Sequence, residues 1–169
     1  MLMKPSALAL TLAALCASTL LAPATRAADF SPAHSRSAAP AADKLAKART
    51  LVAAKQWGPA LDELRRVNDT GSADWNNLMG YSLRKGPAPD LVASERYYDQ
   101  ALQIDPHHLN TLEYSGELYL QKGDLPKAQA RLEALASACT AKCAQYAELS
   151  GAIERYRAAG DKFVSTTGW

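Results

Sequence analysis

Residues 108–138, HLNTLEYSGELYLQKGDLPKAQARLEALASA, hold two apolar stripes at helical spacing, parted by Gly123 and Asp124. In the first half Leu112, Ser115, Gly116 and Tyr119 fall on one face; in the second, Ala128, Leu132 and Leu135 do. Working back along the chain, the same positions return. Ala60, Ser94 and Ala128 lie 34 residues apart in turn, as do Leu64, Tyr98 and Leu132, and Val67, Ala101 and Leu135. A fixed interval of this size marks stacked helix pairs, each leaving an apolar face that its neighbour must cover. The expected fold is an all-α solenoid of three helix pairs closed by a C-terminal capping helix. Such an architecture offers a binding surface rather than a catalytic pocket.

Caps and breakers agree with this period. From Asp43 the residues Leu45, Ala48, Leu51 and Val52 form a stripe, which Trp57 and Gly58 are expected to close. Pro59 suits the first turn of the next helix, where its missing N–H has no helical partner, and Ala60, Leu61, Leu64 and Val67 give that helix its stripe. Asn68 to Asp74 reads as a turn, with Asp74 capping a helix that carries Trp75, Leu78, Met79 and Tyr81. Gly86, Pro87 and Pro89 break it. Asp90 then caps a helix that ends at Asp105, because Pro106 disfavours helical geometry in its predecessor. Asp124 with Pro126 repeats the cap and the proline-tolerant first turn. Tyr146, Leu149, Ile153 and Tyr156 predict a last amphipathic helix, ended by Gly160. Gly151 inside it costs about 1 kcal/mol relative to Ala, a cost that is tolerable if a neighbouring helix approaches closely there. The pairs thus span about 43–70, 73–105 and 108–138, followed by a cysteine turn and capping helix over 139–159 and a patternless, flexible tail over 160–169.

The N-terminal end has another character. Lys4 precedes an apolar run from Ala7 to Ala22, with small residues at Ala22, Ala24 and Ala27, and residues 1–27 read as a cleavable secretory signal. The run is shorter than the roughly 20 residues of a bilayer span, so no stable membrane insertion is expected after cleavage. Residues 28–42, rich in Ala, Ser and Pro without a period, read as a disordered linker. Loss of Lys4 and Arg26 lowers the basic count from 19 to 17, equal to the 17 acidic residues. With both signs interspersed, a nucleic-acid partner is not expected. Export makes the location periplasmic in a cell with two membranes, or secreted otherwise. In an oxidising compartment Cys139 and Cys143 are expected to form a structural disulfide that pins a turn, worth on the order of 2 kcal/mol by loop closure.

Taken together, the small and aromatic positions resemble those of a tetratricopeptide repeat protein. The third unit carries Leu112, Ser115, Gly116, Tyr119, Gly123, Ala128, Leu132 and Leu135; the second carries Gly80, Ser94, Tyr98, Ala101 and the closing Pro106. Small residues at Ala48, Ala60, Gly80, Ser94, Gly116 and Ala128 let helices cross closely. Departures are the 36-residue interval from Gly80 to Gly116, Trp75 and Leu78 one residue early relative to Gly80, Ala48 in place of the first glycine, and no closing proline in unit three. The resemblance implies a right-handed superhelix whose concave side is lined by the first helix of each pair. It then places Leu45, Arg49 and Val52, then Asn77, Tyr81 and Arg84, then Glu113, Glu117 and Leu120 along a groove for a protein or peptide partner. The Lys, Asn and Arg cluster with which some members grip a terminal carboxylate is only partly matched, by Asn77 and Arg84, and Glu113 and Glu117 oppose it.

Signatures of catalysis are missing: there is no GxSxG, no HExxH and no phosphate-cradling glycine loop. No enzymatic activity, cofactor or resident metal is expected. His107 and His108 are adjacent, so on a helix they point about 100° apart and do not chelate as an i, i+4 pair would. The competing reading uses Cys139 and Cys143 as soft thiolates for Cu(I) or as a redox dithiol, with Lys142 favouring the thiolate.

Overall fold

A computed structural model describes residues 43–140 and 143–165. The expected signal and linker, Lys142 and the last four residues lie outside the described residues. Those described form seven helices and no strand: α1 Ala46–Ala53, α2 Trp57–Val67, α3 Ala73–Lys85, α4 Leu91–Ile104, α5 Leu109–Gln121, α6 Leu125–Ala138 and α7 Ala144–Ala158. Consecutive helices pack as antiparallel neighbours, and each first helix also packs on the next one, α1 on α3, α3 on α5 and α5 on α7. The fold is all-α and solenoid-like.

Local chemistry sets the helix ends. Asp90 Oδ1 accepts from the Ala93 N–H at 2.9 Å and Asp124 Oδ1 from the Lys127 N–H at 3.1 Å, as the sequence predicts. Two boundaries differ. Trp57 opens α2 instead of closing α1, which stops at Ala53 and leads to Lys55 in the left-handed region (φ 56°). Ser72, not Asp74, caps α3, its hydroxyl accepting from the Trp75 N–H at 3.3 Å. Gly123 (φ 77°) allows the turn between α5 and α6.

The small residues lie where helices meet. Ala48, Ala60, Ser94 and Ala128 are fully buried. A Cβ on Gly80 would stand 2.7 Å from the Tyr98 ring and 3.1 Å from the Ser94 carbonyl oxygen, and Ser94 Oγ donates to the Gly80 carbonyl at 2.7 Å. A Cβ on Gly116 would stand 2.5 Å from Leu149, so α7 seats directly on α5. Leu149, Ile153 and Tyr156 then close the core formed with Leu112, Tyr119 and Leu135. At Gly151 that condition is not met: only the end of the Arg155 side chain comes near its missing Cβ. Cys139 and Cys143, Cα atoms 5.8 Å apart, are joined at the turn between α6 and α7.

Candidate functional site

The face shared by α1, α3 and α5 encloses a groove of about 410 Å³. Arg49 and Val52 come from α1, Asn77 and Tyr81 from α3, Asn110 and Tyr114 from α5, and Trp57 closes one side. Periodicity explains the set, because residues three and four apart share a helix face. The Tyr81 and Tyr114 rings pack at 4.5 Å between centroids, and Trp57 meets Tyr81 nearly edge-on at 5.9 Å. Burial raises the pKa of both tyrosines, so they offer neutral hydroxyls and apolar faces.

A polar chain crosses the groove's rim. Arg49 donates to Asp43 at 2.6 Å and to Asp74 at 2.7 Å, and His108 Nε2 meets Asp74 Oδ1 at 3.0 Å. His108 Nδ1 accepts from the Thr111 N–H, which places the imidazole proton on Nε2, facing Asp74. Thr111 Oγ1 in turn donates to Asn77 Oδ1 at 3.1 Å. On the α7 side, Gln145 donates to Asn110 at 2.8 Å.

Further along, Arg84 is 2% exposed and donates to Glu117 at 2.7 Å. Burial opposes its charge, but Tyr98 and Glu117 outweigh that effect and keep the guanidinium protonated. Its carbon lies 5.7 Å from the Tyr81 centroid and 5.9 Å from that of Tyr114, within cation–π range. Glu113 is 8% exposed and makes no hydrogen bond or ion pair among the described residues. Burial, then the carboxylates of Glu117 and Glu148, pushes its pKa up to about 8, against the pull of Arg84. Arg84 and Glu117 also border a small cleft whose other side is Phe163, Val164 and Ser165, so this part of the predicted tail lies against the helices.

Of the residues the resemblance placed in the groove, Arg49, Asn77 and Tyr81 line it, while Arg84 and Glu117 line the adjoining cleft. Glu113 sits at the seam between α5 and α7, its field reaching Glu148 on α7 and Tyr81 on α3. Leu120 is a correction: at 1% exposure it packs into the core with Leu149 and Ile153, because the groove face of α5 runs through 110, 114, 117 and 121 and turns away at 120. Leu45, likewise, is a core residue. Sequence reasoning passed over Tyr114, Asn110 and Trp57. The first two lie 33 residues beyond Tyr81 and Asn77, and that interval was the available signal.

A second cavity, about 640 Å³, lies between α2, α3 and α4, bordered by Arg65, Trp75, Met79, Arg96 and Tyr97. It is the larger, but its polar groups are partly spent: the Trp75 indole N–H donates to the Leu64 carbonyl at 2.7 Å and Arg65 pairs with Asp62. The described residues contain no cluster of three His, Cys, Asp or Glu that could hold a metal ion, and none of their helices is long and apolar enough to cross a membrane.

Fold and groove together define a stack of helix hairpins that presents a concave surface. Residues 90–153 match the family described as tetratricopeptide repeat, which supports reading the chain as a tetratricopeptide repeat protein. The match begins at the cap of α4 and runs across the cysteine turn into α7, so the closing helix stands where a further repeat would begin. No curated protein and no solved structure matches the chain. Repeats of this family generally mediate protein–protein interaction and are typically non-enzymatic.

Proposed function

We propose that this protein is a non-enzymatic interaction module of the cell envelope that holds a peptide segment of a protein partner in its concave groove. The observation that carries the reading is the groove itself, where the Tyr81 and Tyr114 rings stand among the amides of Asn77 and Asn110. Aromatic faces bury partner side chains, and amides hydrogen-bond an extended backbone from either side. The secretory pattern of residues 1–27 and the paired Cys139 and Cys143 support placement outside the cytoplasm.

Capture of peptides from a displayed random library by the immobilised full chain tests the groove. Tyr81→Ala should lower the affinity of captured peptides by about tenfold, the cost of a typical interface anchor, while Val92→Ser, at an exposed site on α4, should leave it unchanged. Undiminished binding by Tyr81→Ala overturns the groove assignment. Cell fractionation with N-terminal sequencing tests the location, and an intact N-terminus in the cytoplasm overturns it.

A further inference from the structure

We propose that the cavity of about 640 Å³ between α2, α3 and α4 is a second docking site, which takes an acidic segment of a protein partner. It shares no lining residue with the groove, so it stands apart from the groove reading. Its floor is buried and largely apolar. Trp75, Asn76 and Met79 are 4, 2 and 3% exposed, and the half-buried Tyr97 ring stands nearly edge-on to Trp75 at 5.8 Å between centroids. The Asn76 side-chain nitrogen donates to the Thr70 and Ser72 carbonyls at 2.9 and 2.8 Å. Its oxygen is left to accept from a ligand N–H, such as a peptide backbone supplies.

The rim is cationic. Arg65 and Arg96 border the cavity, and among the described residues no Asp or Glu does. Arg96 makes no hydrogen bond or ion pair among the described residues. The acids beside it in sequence are engaged elsewhere, Glu95 by Lys122 and Asp99 by Arg131 at 3.4 Å. Arg65 holds Asp62 at 2.9 Å, but both side chains are more than half exposed, and exposed pairs of this kind exchange partners readily. A guanidinium takes a carboxylate through two N–H groups at once, while the aromatic and thioether surfaces of the floor accept a neighbouring apolar side chain. A free small molecule is a poorer occupant, because small-molecule sites enclose most of their ligand, whereas the rim residues Arg65, Asn68, Thr70, Arg96 and Gln100 are all exposed. Such an open site suits a segment carried on a larger body. Two arginines are also too short a track for a nucleic-acid backbone.

The test captures peptides from a displayed random library on the full chain carrying Tyr81→Ala, in which groove binding is weakened. Captured peptides should be enriched in Asp or Glu beside an apolar residue. Arg96→Glu should weaken them about tenfold or more, whereas Arg157→Glu, the same change of charge at an exposed position on α7, should not. Binding should also weaken as salt is raised. In isotopically labelled wild-type protein, a captured peptide should shift the backbone amide resonances of Arg96, Tyr97 and Gln100 and leave those of Tyr81 and Tyr114 in place. The second site is overturned, and the groove reading left as it stands, by peptides without acidic preference, by binding undiminished in Arg96→Glu, or by resonances that shift only along the groove. Displacement by free glutamate or inorganic phosphate at the peptide's own concentration, or capture of no peptide by the Tyr81→Ala chain, overturns it as well.

Discussion

Replacing Gly80 with alanine puts a methyl group where α3 and α4 touch. The new carbon would lie 2.7 and 2.8 Å from two atoms of the Tyr98 ring and 3.1 Å from the Ser94 carbonyl oxygen. Tyr98 is fully buried and has no space to turn into, and the carbonyl is backbone. Relief therefore requires the hairpin to open, at about 1–3 kcal/mol for overpacking. Alanine returns about 1 kcal/mol of helix propensity, leaving a net loss of up to roughly 2 kcal/mol. Gly151→Ala is the counterpart, since its new methyl would meet only the flexible end of Arg155 at 3.1 Å. It should stabilise α7 by up to about 1 kcal/mol. Urea unfolding followed by far-ultraviolet circular dichroism should thus separate the two variants by roughly 1–3 kcal/mol, with wild type between them. Equal midpoints for both would refute the argument that Gly80 is required by a helix crossing.

Two further outcomes follow from burial and from the cysteine turn. The Glu113 carboxyl has a folded pKa of about 8 against an ordinary value of 4.5, so above pH 4.5 the unfolded chain binds fewer protons than the folded one. Its contribution to stability should fall as pH rises to about 8. Glu113→Gln should flatten that slope in pH-dependent urea melts and stabilise the protein at pH 8 by roughly 2 kcal/mol, discounting the full shift for relaxation at the seam; an unchanged slope would show that Glu113 ionises freely. Native protein should show no titratable thiol at Cys139 or Cys143, and reduction should cost on the order of 2 kcal/mol. Two thiols reacting in native protein, with stoichiometric Cu(I) uptake lost in Cys143→Ser, would favour the copper or redox reading instead.

The helical architecture was legible because several local signals coincide. Asp90, Asp124, Gly123 and Pro106 each punctuate the chain where the 34-residue period demands it, and Ala48, Ala60, Ser94 and Ala128 mark closely packed positions. Boundaries failed where two residues competed for one role. Ser72 and Asp74 both suit a cap, and tertiary contacts decide between them, since Asp74 is taken up by Arg49 and His108. Trp57 looked like a helix end beside Gly58 and Pro59, but its ring packs on Tyr81, 24 residues away. The groove was only half legible. Aligning Gly80 with Gly116 fixes the hairpins at a 36-residue interval, yet side chains on neighbouring helices meet at 33 or 34, as Tyr81 with Tyr114 and Asn77 with Thr111 do. Leu120 follows Arg84 by the first interval, yet the turn of α5 carries it away from the groove face and into the core. Nothing in the spacing showed that Glu113 lacks a partner, because that depends on Arg84 choosing Glu117.

Asp74 is shared by Arg49 from the first hairpin and His108 from the third while itself belonging to the second. One half-exposed carboxylate thus ties three hairpins together at the rim, beside the helix packing that already holds them, so Asp74→Ala should unlink Arg49 and His108 together while leaving the stack itself standing.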